Sequence, residues 1–313
     1  ERTAEFKSLF EHWHDIANLD DTAASKRISD LELDLLVDLS GHSDGNRLLA
    51  LARQPVARQA TCYGYNCKTG MSAMQYRLTD IHMDPADNTA WSTEPLLRLP
   101  CFASYQPPQE TPGISDLPAR RNGYVTFGSL NNPQKLTQET LSLWAQILDA
   151  LPDSRLLLIA PYGSTGESST RGQWQQHLQA CGLPLERIDL LPKHGFQDFL
   201  ALSEKIDIAL EPFPFSGGVT TCHTLWMGLP AITLSGTLPF ERAATAILQA
   251  ARLPELIQNT PAAYLELAIR LAQNLDALAA LRKNMRHHLQ ASPLLDSGSQ
   301  TRALEAIYRN LLA

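Results

Sequence analysis

The chain alternates between short apolar runs and stretches in which apolar residues recur at helical spacing. The apolar runs in the first third predict buried strands over residues 33–41, 58–63 and 75–80. The periodic stretches predict helices over residues 3–13, 22–31 and 46–52. Strands that are apolar nearly throughout are typical of a parallel sheet covered on both faces. The order strand, helix, strand with short connections therefore predicts an α/β fold.

The same alternation starts again after residue 123. It predicts strands over residues 124–130, 155–160, 187–192, 205–210 and 231–236. It predicts helices over residues 137–151, 172–181, 196–203 and 242–251, and a helical end after residue 258. Residues 105–123, between the two halves, contain four prolines and two glycines, which is typical of a linker. We predict a partial N-terminal lobe over residues 1–112, a linker over 113–123, and a C-terminal lobe over 124–313 with closing C-terminal helices.

The segment EPFPFSGGVTTCHTLWMGLP, residues 211–230, is the most informative part of the chain. It follows a predicted strand, turns at Gly217 and Gly218, and continues into a short helix that begins near Thr220. A helix start presents backbone N–H groups without intrahelical partners, and glycines let a ligand approach the backbone closely. The segment therefore indicates a phosphate site, although an ordinary strand-to-helix connection has the same local pattern.

Composition and charge restrict the partners of the chain. A net charge of −7 and a pI near 5.7 give no overall positive field for nucleic acid. No apolar run approaches the ~20 residues of a membrane helix, and no secretory signal is visible, so we expect a cytoplasmic protein without membrane contact. The five cysteines form no CxxC pair and the histidines show no HExxH spacing, which predicts free thiols and no metal. The alternative is that Cys62 and Cys67 pair or bind a metal.

Several loops resemble the catalytic region of one enzyme family. VTFGSLNNPQK at residues 125–135 and EPFPFSGGVTTCHTLWMGLPAITLSG at 211–236, with Arg242 downstream, are similar to the O-GlcNAc transferase/SPINDLY family, glycosyltransferase family 41. LLVDLSGHSDGNRLLALARQPVARQ at 35–59, followed by YGY and MQYRLTD, resembles the end of that family's N-terminal lobe. The resemblance covers nearly the whole chain. It implies the GT-B fold, in which two Rossmann-like lobes with parallel sheets face a cleft, with the start of the N-terminal lobe missing here.

The resemblance also implies roles for individual residues. Lys135 matches the family's essential lysine, a cation that would offset the negative charge growing on the departing nucleotide diphosphate. Gly217, Gly218, Thr220 and Thr221 match the turn and helix start that bind the diphosphate. The other residues assigned to the nucleotide sugar are Asn132, His194, Phe199, His223 and Arg242, and those on the sugar and acceptor side are His42, Gly64 and Tyr65.

Three of these residues have structural alternatives, and two depart from the family pattern. Asn132 could cap a helix, because asparagine after a strand often does so. Arg242 could form a structural salt bridge, and His42 could bond its own turn. His223 stands where the family has an acidic residue that holds the ribose hydroxyls. Phe199 stands where the family often has a histidine near the nucleotide.

The function implied by the resemblance is an inverting protein glycosyltransferase. It would move a sugar, GlcNAc from UDP-GlcNAc, to Ser or Thr hydroxyls of a polypeptide acceptor, with no metal and no cofactor beyond the donor. Helical TPR repeats that bind acceptors are implied upstream of this chain. The alternative, from a different class, is a degenerate and inactive GT-B fold that serves as a binding or scaffolding module, since His223 replaces the ribose-binding acid.

Overall fold

The structure, a computed structural model, describes residues 2–86, 91–161 and 168–313. The contacts between residues divide the chain into two compact units. The first comprises Glu1–Leu78, Ser92–Leu96 and Tyr308–Ala313, and the second comprises Thr79–Trp91 and Leu97–Ile307. Residues 97–112, which the sequence analysis assigned to the N-terminal lobe, group with the second unit. This division by contacts does not test the predicted lobe boundaries at residues 112 and 123, which stay a prediction.

The first sheet has the strand order β1-β2-β3-β4. Its strands are β1 (Leu36–Asp38), β2 (Gln59–Thr61), β3 (Tyr76–Thr79) and β4 (Leu96–Arg98), and the helices of this part are α1 (Arg2–Ser8), α2 (Asp21–Ser29) and α3 (Leu48–Leu51). β2 pairs in parallel with both β1 and β3, as the sequence predicts. Asp20 caps α2 by accepting a hydrogen bond from the Ala23 N–H at 2.7 Å.

The second sheet lies within the larger unit. Its strands are β5 (Thr126–Ser129), β6 (Arg155–Ile159), β7 (Ile188–Leu191), β8 (Ile208–Leu210), β9 (Ala231–Leu234) and β10 (Ile257–Gln258). The helices along this part of the chain are α4 (Pro118–Asn122), α5 (Gln138–Ala150), α6 (Ser168–Ala180), α7 (Phe196–Ala201), α8 (Val219–Trp226), α9 (Ala243–Ala250), α10 (Pro261–Gln273), α11 (Leu275–Gln290) and α12 (Ser297–Leu312).

The strand order of the second sheet determines where a ligand can bind. The order is β10-β9-β8-β5-β6-β7, and the pairs described within it are parallel. The chain runs from β5 outward through β6 and β7, then returns to place β8 on the other side of β5. This is the order of doubly wound dinucleotide-binding folds, which bind ligands outside the carboxyl ends of the strands where the winding reverses. Here that switch point lies between β5 and β8.

Both faces of the second sheet are covered by helices. Successive side chains of a strand point to opposite faces, so neighbouring residues enter different cores. Leu156 and Leu158 of β6 join one buried apolar cluster, whereas Leu157 joins the other. In β8, Ile208 belongs to the first cluster and Ala209 to the second. This double burial explains why β6 and β8 are apolar at nearly every position.

A few elements differ from the sequence prediction. α1 ends at Ser8 rather than at residue 13. β4, β10 and α4 were not predicted, because segments of two to five residues are too short to show a period. α4 lies inside the predicted linker, and the buried carboxylate of Asp207 holds it by accepting a hydrogen bond from the Ala119 N–H at 2.8 Å. Among the described helices, none has the length and apolar character needed to span a bilayer.

Candidate donor-binding site

The loops that follow β5 and β8 meet at the switch point of the second sheet. The loop after β5 carries Asn131 and, in a short 3₁₀ turn, Lys135. The loop after β8 begins at Glu211 and leads through Gly217 into α8. Because parallel strands end at the same edge of a sheet, the two loops become neighbours although about 80 residues separate them. The site is therefore built from two segments that are distant in sequence.

Glu211 is the buried centre of this site. Its side chain is 2% exposed, and its carboxylate accepts three hydrogen bonds. The Gly217 N–H donates to Oε2 at 2.7 Å, the Asn131 amide donates to Oε2 at 3.1 Å, and the Thr221 hydroxyl donates to Oε1 at 2.7 Å. Burial raises the pKa of Glu211, and the three donors together with Lys135 oppose that shift.

Glycine at position 217 allows this close approach. A Cβ atom there would lie 2.4 Å from the Thr221 hydroxyl and 2.8 Å from Oε2 of Glu211. Gly218 is different, because a Cβ at that position meets nothing within 4 Å. The first glycine is therefore required by the packing of the turn, whereas the second borders open space.

Lys135 reaches the same turn from the other loop. Its ammonium donates a hydrogen bond to the Ser216 carbonyl at 2.8 Å and lies 4.5 Å from the centre of the Phe215 ring. Desolvation lowers the pKa of Lys135, and the charge of Glu211 acts in the opposite direction. Asn132 caps the 3₁₀ turn that carries Lys135, since its side chain accepts a hydrogen bond from the Gln134 N–H at 3.0 Å. Asn132 thus has the capping geometry that the sequence left open.

The start of α8 is the predicted phosphate site, and some of its polar groups already have partners within the protein. The N–H of Gly217 and the hydroxyl of Thr221 donate to Glu211, so both groups are engaged inside the protein. Gly218 and Thr220 are half-buried. The N–H groups at the start of a helix have no intrahelical partner, and those following Gly218 are therefore the ones able to bind an anion. Gly217 and Thr221 therefore hold the turn through their hydrogen bonds to Glu211. The sequence did not predict these contacts.

A second helix starts beside this turn. The hydroxyl of Ser216 accepts a hydrogen bond from the Ala244 N–H in the first turn of α9, at 3.1 Å. Ser216 therefore contacts α9 through its side chain and Lys135 through its carbonyl. The positive ends of two helix dipoles and one ammonium group lie around a single turn, an arrangement that favours a bound anion.

Aromatic rings surround His223, one turn into α8. The Tyr105 hydroxyl lies 2.9 Å from Nδ1 of His223. The ring centres of Phe196 and Phe199 lie 5.1 and 6.4 Å from that of His223, both edge-on. Phe196 is 42% exposed and stacks on Phe199. The structure therefore brings the predicted residues Phe199 and His223 together and adds a partly exposed ring suited to stacking on a nucleotide base.

His194 and Arg242 are the two remaining residues predicted at the nucleotide sugar. Nε2 of His194 is buried and has no hydrogen-bond partner among the residues that the structure describes. The Arg242 guanidinium donates to the His82 carbonyl at 2.8 Å, and to the Ser235 hydroxyl and the Gly236 carbonyl at 2.9 Å each. These bonds tie Arg242 to the loop after β9. Its role near the phosphates stays a prediction.

The three residues predicted on the acceptor side lie together in the first unit. The rings of His42 and Tyr65 meet edge-on at 5.9 Å, and Nε2 of His42 lies 3.1 Å from the Lys68 carbonyl. A Cβ at Gly64 would lie 2.3 Å from the Leu39 carbonyl, so only glycine fits where the loops after β1 and β2 touch. His42 thus bonds the loop after β2 and not its own turn, while its ring and Tyr65 stay exposed.

Sequence reasoning missed Glu211, Asn131, Ser216, Tyr105 and Phe196. A polar residue directly after a buried strand is a usable signal for Glu211 and Asn131, because the carboxyl edge of the sheet was already the expected ligand side. Tyr105 gave no local signal, since it lies in a segment without periodicity. Within the described part of the chain, no group of three or more His, Cys, Asp or Glu side chains is placed to hold a metal ion.

Known proteins match both the sequence and the fold. Residues 116–304 match the family described as Glycosyl transferase family 41. The probable UDP-N-acetylglucosamine–peptide N-acetylglucosaminyltransferase SPINDLY of Petunia hybrida is 36% identical over 302 residues, which cover 96% of this chain and 32% of that protein. The relative of the same name in Arabidopsis thaliana is also 36% identical, with 96% and 33% covered. The chain thus spans about a third of the length of these relatives.

Solved structures agree with this match. A mutant O-GlcNAc transferase of Thermobaculum terrenum superposes with a TM-score of 0.89 and 36% identity, over 99% of this chain and 59% of that one. Sucrose-phosphate synthase from Thermosynechococcus elongatus, at 13% identity and a TM-score of 0.60, shares the fold over 93% of this chain and 77% of its own. The two parallel sheets and these matches define a protein of the GT-B glycosyltransferase class. The chain belongs to glycosyltransferase family 41.

Proposed function

We propose that the intact protein transfers GlcNAc from UDP-GlcNAc to Ser or Thr hydroxyls of a polypeptide, with inversion at the sugar. The acceptor oxygen forms a bond to the anomeric carbon as the bond from that carbon to the diphosphate oxygen breaks. The bonding electron pair leaves with UDP, and the hydroxyl proton passes to a base or to water. Relatives that are 36% identical are named as probable peptide N-acetylglucosaminyltransferases, and these names support the proposal.

One observation carries the proposal in this chain. The Lys135 ammonium lies 2.8 Å from the carbonyl of Ser216, the residue that leads into the Gly217–Gly218 turn and the start of α8. UDP gains negative charge as it leaves, and a cation fixed in a partly dry site offsets such charge far better than one in water. Lys135 is the proposed catalytic residue, and the start of α8 the proposed diphosphate site.

The nucleoside is proposed to lie against the aromatic residues around His223. Phe196 offers a partly exposed ring for stacking on the base. Nδ1 of His223 is engaged by Tyr105, so one ring nitrogen already has a partner within the protein. A histidine in this position makes fewer hydrogen bonds to a ribose than a carboxylate would.

The remaining parts of the proposal concern the intact protein. The matched relatives are about three times as long as this chain, which supports upstream TPR repeats that present the acceptor. The fixed cation and helix starts supply positive charge at the diphosphate, so we propose donor binding without a metal. Five free cysteines support a reducing, cytoplasmic location.

The test is titration of the full-length protein with UDP in a calorimeter, followed by release of UDP from UDP-GlcNAc with and without acceptor peptides. Lys135→Ala is expected to lower UDP release about 10²-fold or more, and UDP affinity about tenfold through the lost charged contact. Lys283→Ala, an exposed lysine on α11, is the matched control and is expected to match the wild type. Absence of UDP binding by the intact protein would favour the scaffolding alternative.

A further inference from the structure

β8 carries one buried carboxylate at each end. Asp207 precedes the strand and is fully buried, and it accepts hydrogen bonds from the N–H groups of Ala119 and Thr126 at 2.8 Å. Glu211 follows the strand and is 2% exposed. Both carboxylates accept hydrogen bonds from backbone N–H groups. Only Glu211 lies at the carboxyl edge of the sheet, beside the proposed binding site for the nucleotide sugar. The two ends of β8 therefore offer a comparison between a structural carboxylate and one beside the site.

Lys135 and Glu211 bind opposite ends of the same peptide group. The peptide that joins Ser216 and Gly217 presents its carbonyl to the Lys135 ammonium at 2.8 Å and its N–H to Oε2 of Glu211 at 2.7 Å. A peptide held at both ends by opposite charges cannot rotate without breaking two charge-assisted hydrogen bonds. One further peptide, between Gly217 and Gly218, separates it from Gly218, the N-cap residue of α8.

We propose that Glu211 is a positioning residue of the donor site, which fixes the Ser216–Gly217 peptide and acts as the buried counter-ion of Lys135. The inference rests on the proposed function and adds a residue that does not touch the donor. Glu211 acts through Lys135 and through the Ser216–Gly217 peptide. It orients the amide groups that follow Gly217, and it keeps Lys135 charged in a site where burial disfavours a cation.

Among the residues that the structure describes, few ionisable groups act on this pair. Burial lowers the pKa of Lys135, and Glu211 is the charged group that opposes the shift. The titratable neighbours of Glu211 are Cys222, whose pKa burial raises to about 12, and Tyr264, whose pKa burial also raises. Both of these groups are neutral through the neutral and mildly alkaline range. The ionisation of Lys135 is therefore governed by its burial and by Glu211.

A consequence follows for the pH dependence of donor binding. UDP binding that uses the Lys135 ammonium weakens as the pH rises through the pKa of that lysine. Replacing Glu211 by Gln retains the size of the side chain and an oxygen that can accept from Gly217, but removes the charge. Without the counter-ion, the pKa of Lys135 falls further, and the weakening of UDP binding begins at a lower pH.

The experiment measures the affinity of the intact protein for UDP across pH, using Glu211→Gln with Asp207→Asn as its matched control. Glu211→Gln is expected to move the alkaline decline downward by about one pH unit. Asp207→Asn is expected to lower the melting temperature and to leave the decline in place. The ionisation of UDP itself changes with pH in the same way for all variants, so its effect cancels when the variants are compared. In Lys135→Ala, the part of the decline that belongs to the ammonium disappears.

The outcomes separate this inference from the proposed function. If the wild type binds no UDP at any pH, the proposed function itself fails. If the wild type binds UDP and the decline of Glu211→Gln coincides with that of the wild type, Glu211 is only structural and the inference is overturned. A thermal melt of each variant, recorded at the same pH values, shows that the folded state is the one being titrated.

Discussion

The Tyr105 hydroxyl lies 2.9 Å from Nδ1 of His223, and the two rings meet edge-on with centres 5.4 Å apart. Tyr105 is 6% exposed, and its N–H donates to the Leu294 carbonyl at 2.7 Å. A residue from the long segment before α4 thus orients a histidine on α8. When the phenol donates to Nδ1, the proton of a neutral imidazole lies on Nε2, which makes that nitrogen a donor.

Removing this hydrogen bond is expected to weaken nucleotide binding more than folding. Tyr105→Phe keeps the ring in its apolar surroundings and deletes only the hydroxyl, at a cost of about 1 kcal/mol in the free energy of unfolding. We expect the affinity for UDP to fall about threefold to tenfold, because the His223 ring loses the partner that sets its orientation. Calorimetry with UDP and a urea melt check the two values, with Tyr124→Phe as the control. Equal UDP affinities for wild type and Tyr105→Phe would contradict the orienting role.

The turn itself is expected to tolerate no side chain at position 217. In Gly217→Ala the new Cβ lies 2.4 Å from the Thr221 hydroxyl, so the contacts of Glu211 with the turn must open. We expect a loss of about 2 kcal/mol or more in the free energy of unfolding, since buried polar groups lose their partners. Gly113→Ala, where a Cβ meets nothing within 4 Å, serves as the control. Equal midpoints in denaturant for the two variants would refute the packing argument.

The affinity for UDP is expected to decline at alkaline pH. Desolvation lowers the pKa of Lys135 from its ordinary value, so the ammonium is lost at a lower pH than in an exposed lysine. The diphosphate stabilises the charged form, and binding is therefore strongest below that pKa and weakens as the pH rises through it. Calorimetry with UDP from neutral to alkaline pH measures the decline. An affinity in Lys135→Ala that follows the wild type at every pH would show that another group is responsible.

The buried Arg282 is expected to matter for stability and not for the donor. Its guanidinium donates to the carbonyls of Ser115, Ser203 and Ile206 at 2.8–2.9 Å and to the Ser115 hydroxyl at 2.8 Å. Arg282→Ala leaves these acceptors buried without donors and opens a cavity, at a cost of about 3 kcal/mol or more in the free energy of unfolding. Denaturant melts measure this loss. UDP affinity of the folded variant is expected to equal that of the wild type, and a large drop would place Arg282 in the site.

Much of the fold was predictable from local patterns. The apolar runs predicted β1, β2, β3 and β5 to β9, because strands covered on both faces lie in stretches rich in apolar residues. The glycine turn before α8 was also predictable, because a glycine pair directly before a helix is a recognisable sequence pattern. Family resemblance added Lys135, which no local pattern would have distinguished from a surface lysine. The two-residue strand β10 and the short helix α4 were missed because they contain too few positions for any period.

The sequence by itself determined the α/β class, the parallel order of elements and the position of the glycine turn, because each depends on residues close together in the chain. Only the tertiary structure decided that Glu211 and Lys135 hold one peptide between them, and that Tyr105 orients His223. These pairs are 76 and 118 residues apart. They meet because the winding of the sheet reverses between β5 and β8 and because the chain before α4 packs against α8. Such contacts depend on the packing of whole elements, which no local pattern encodes.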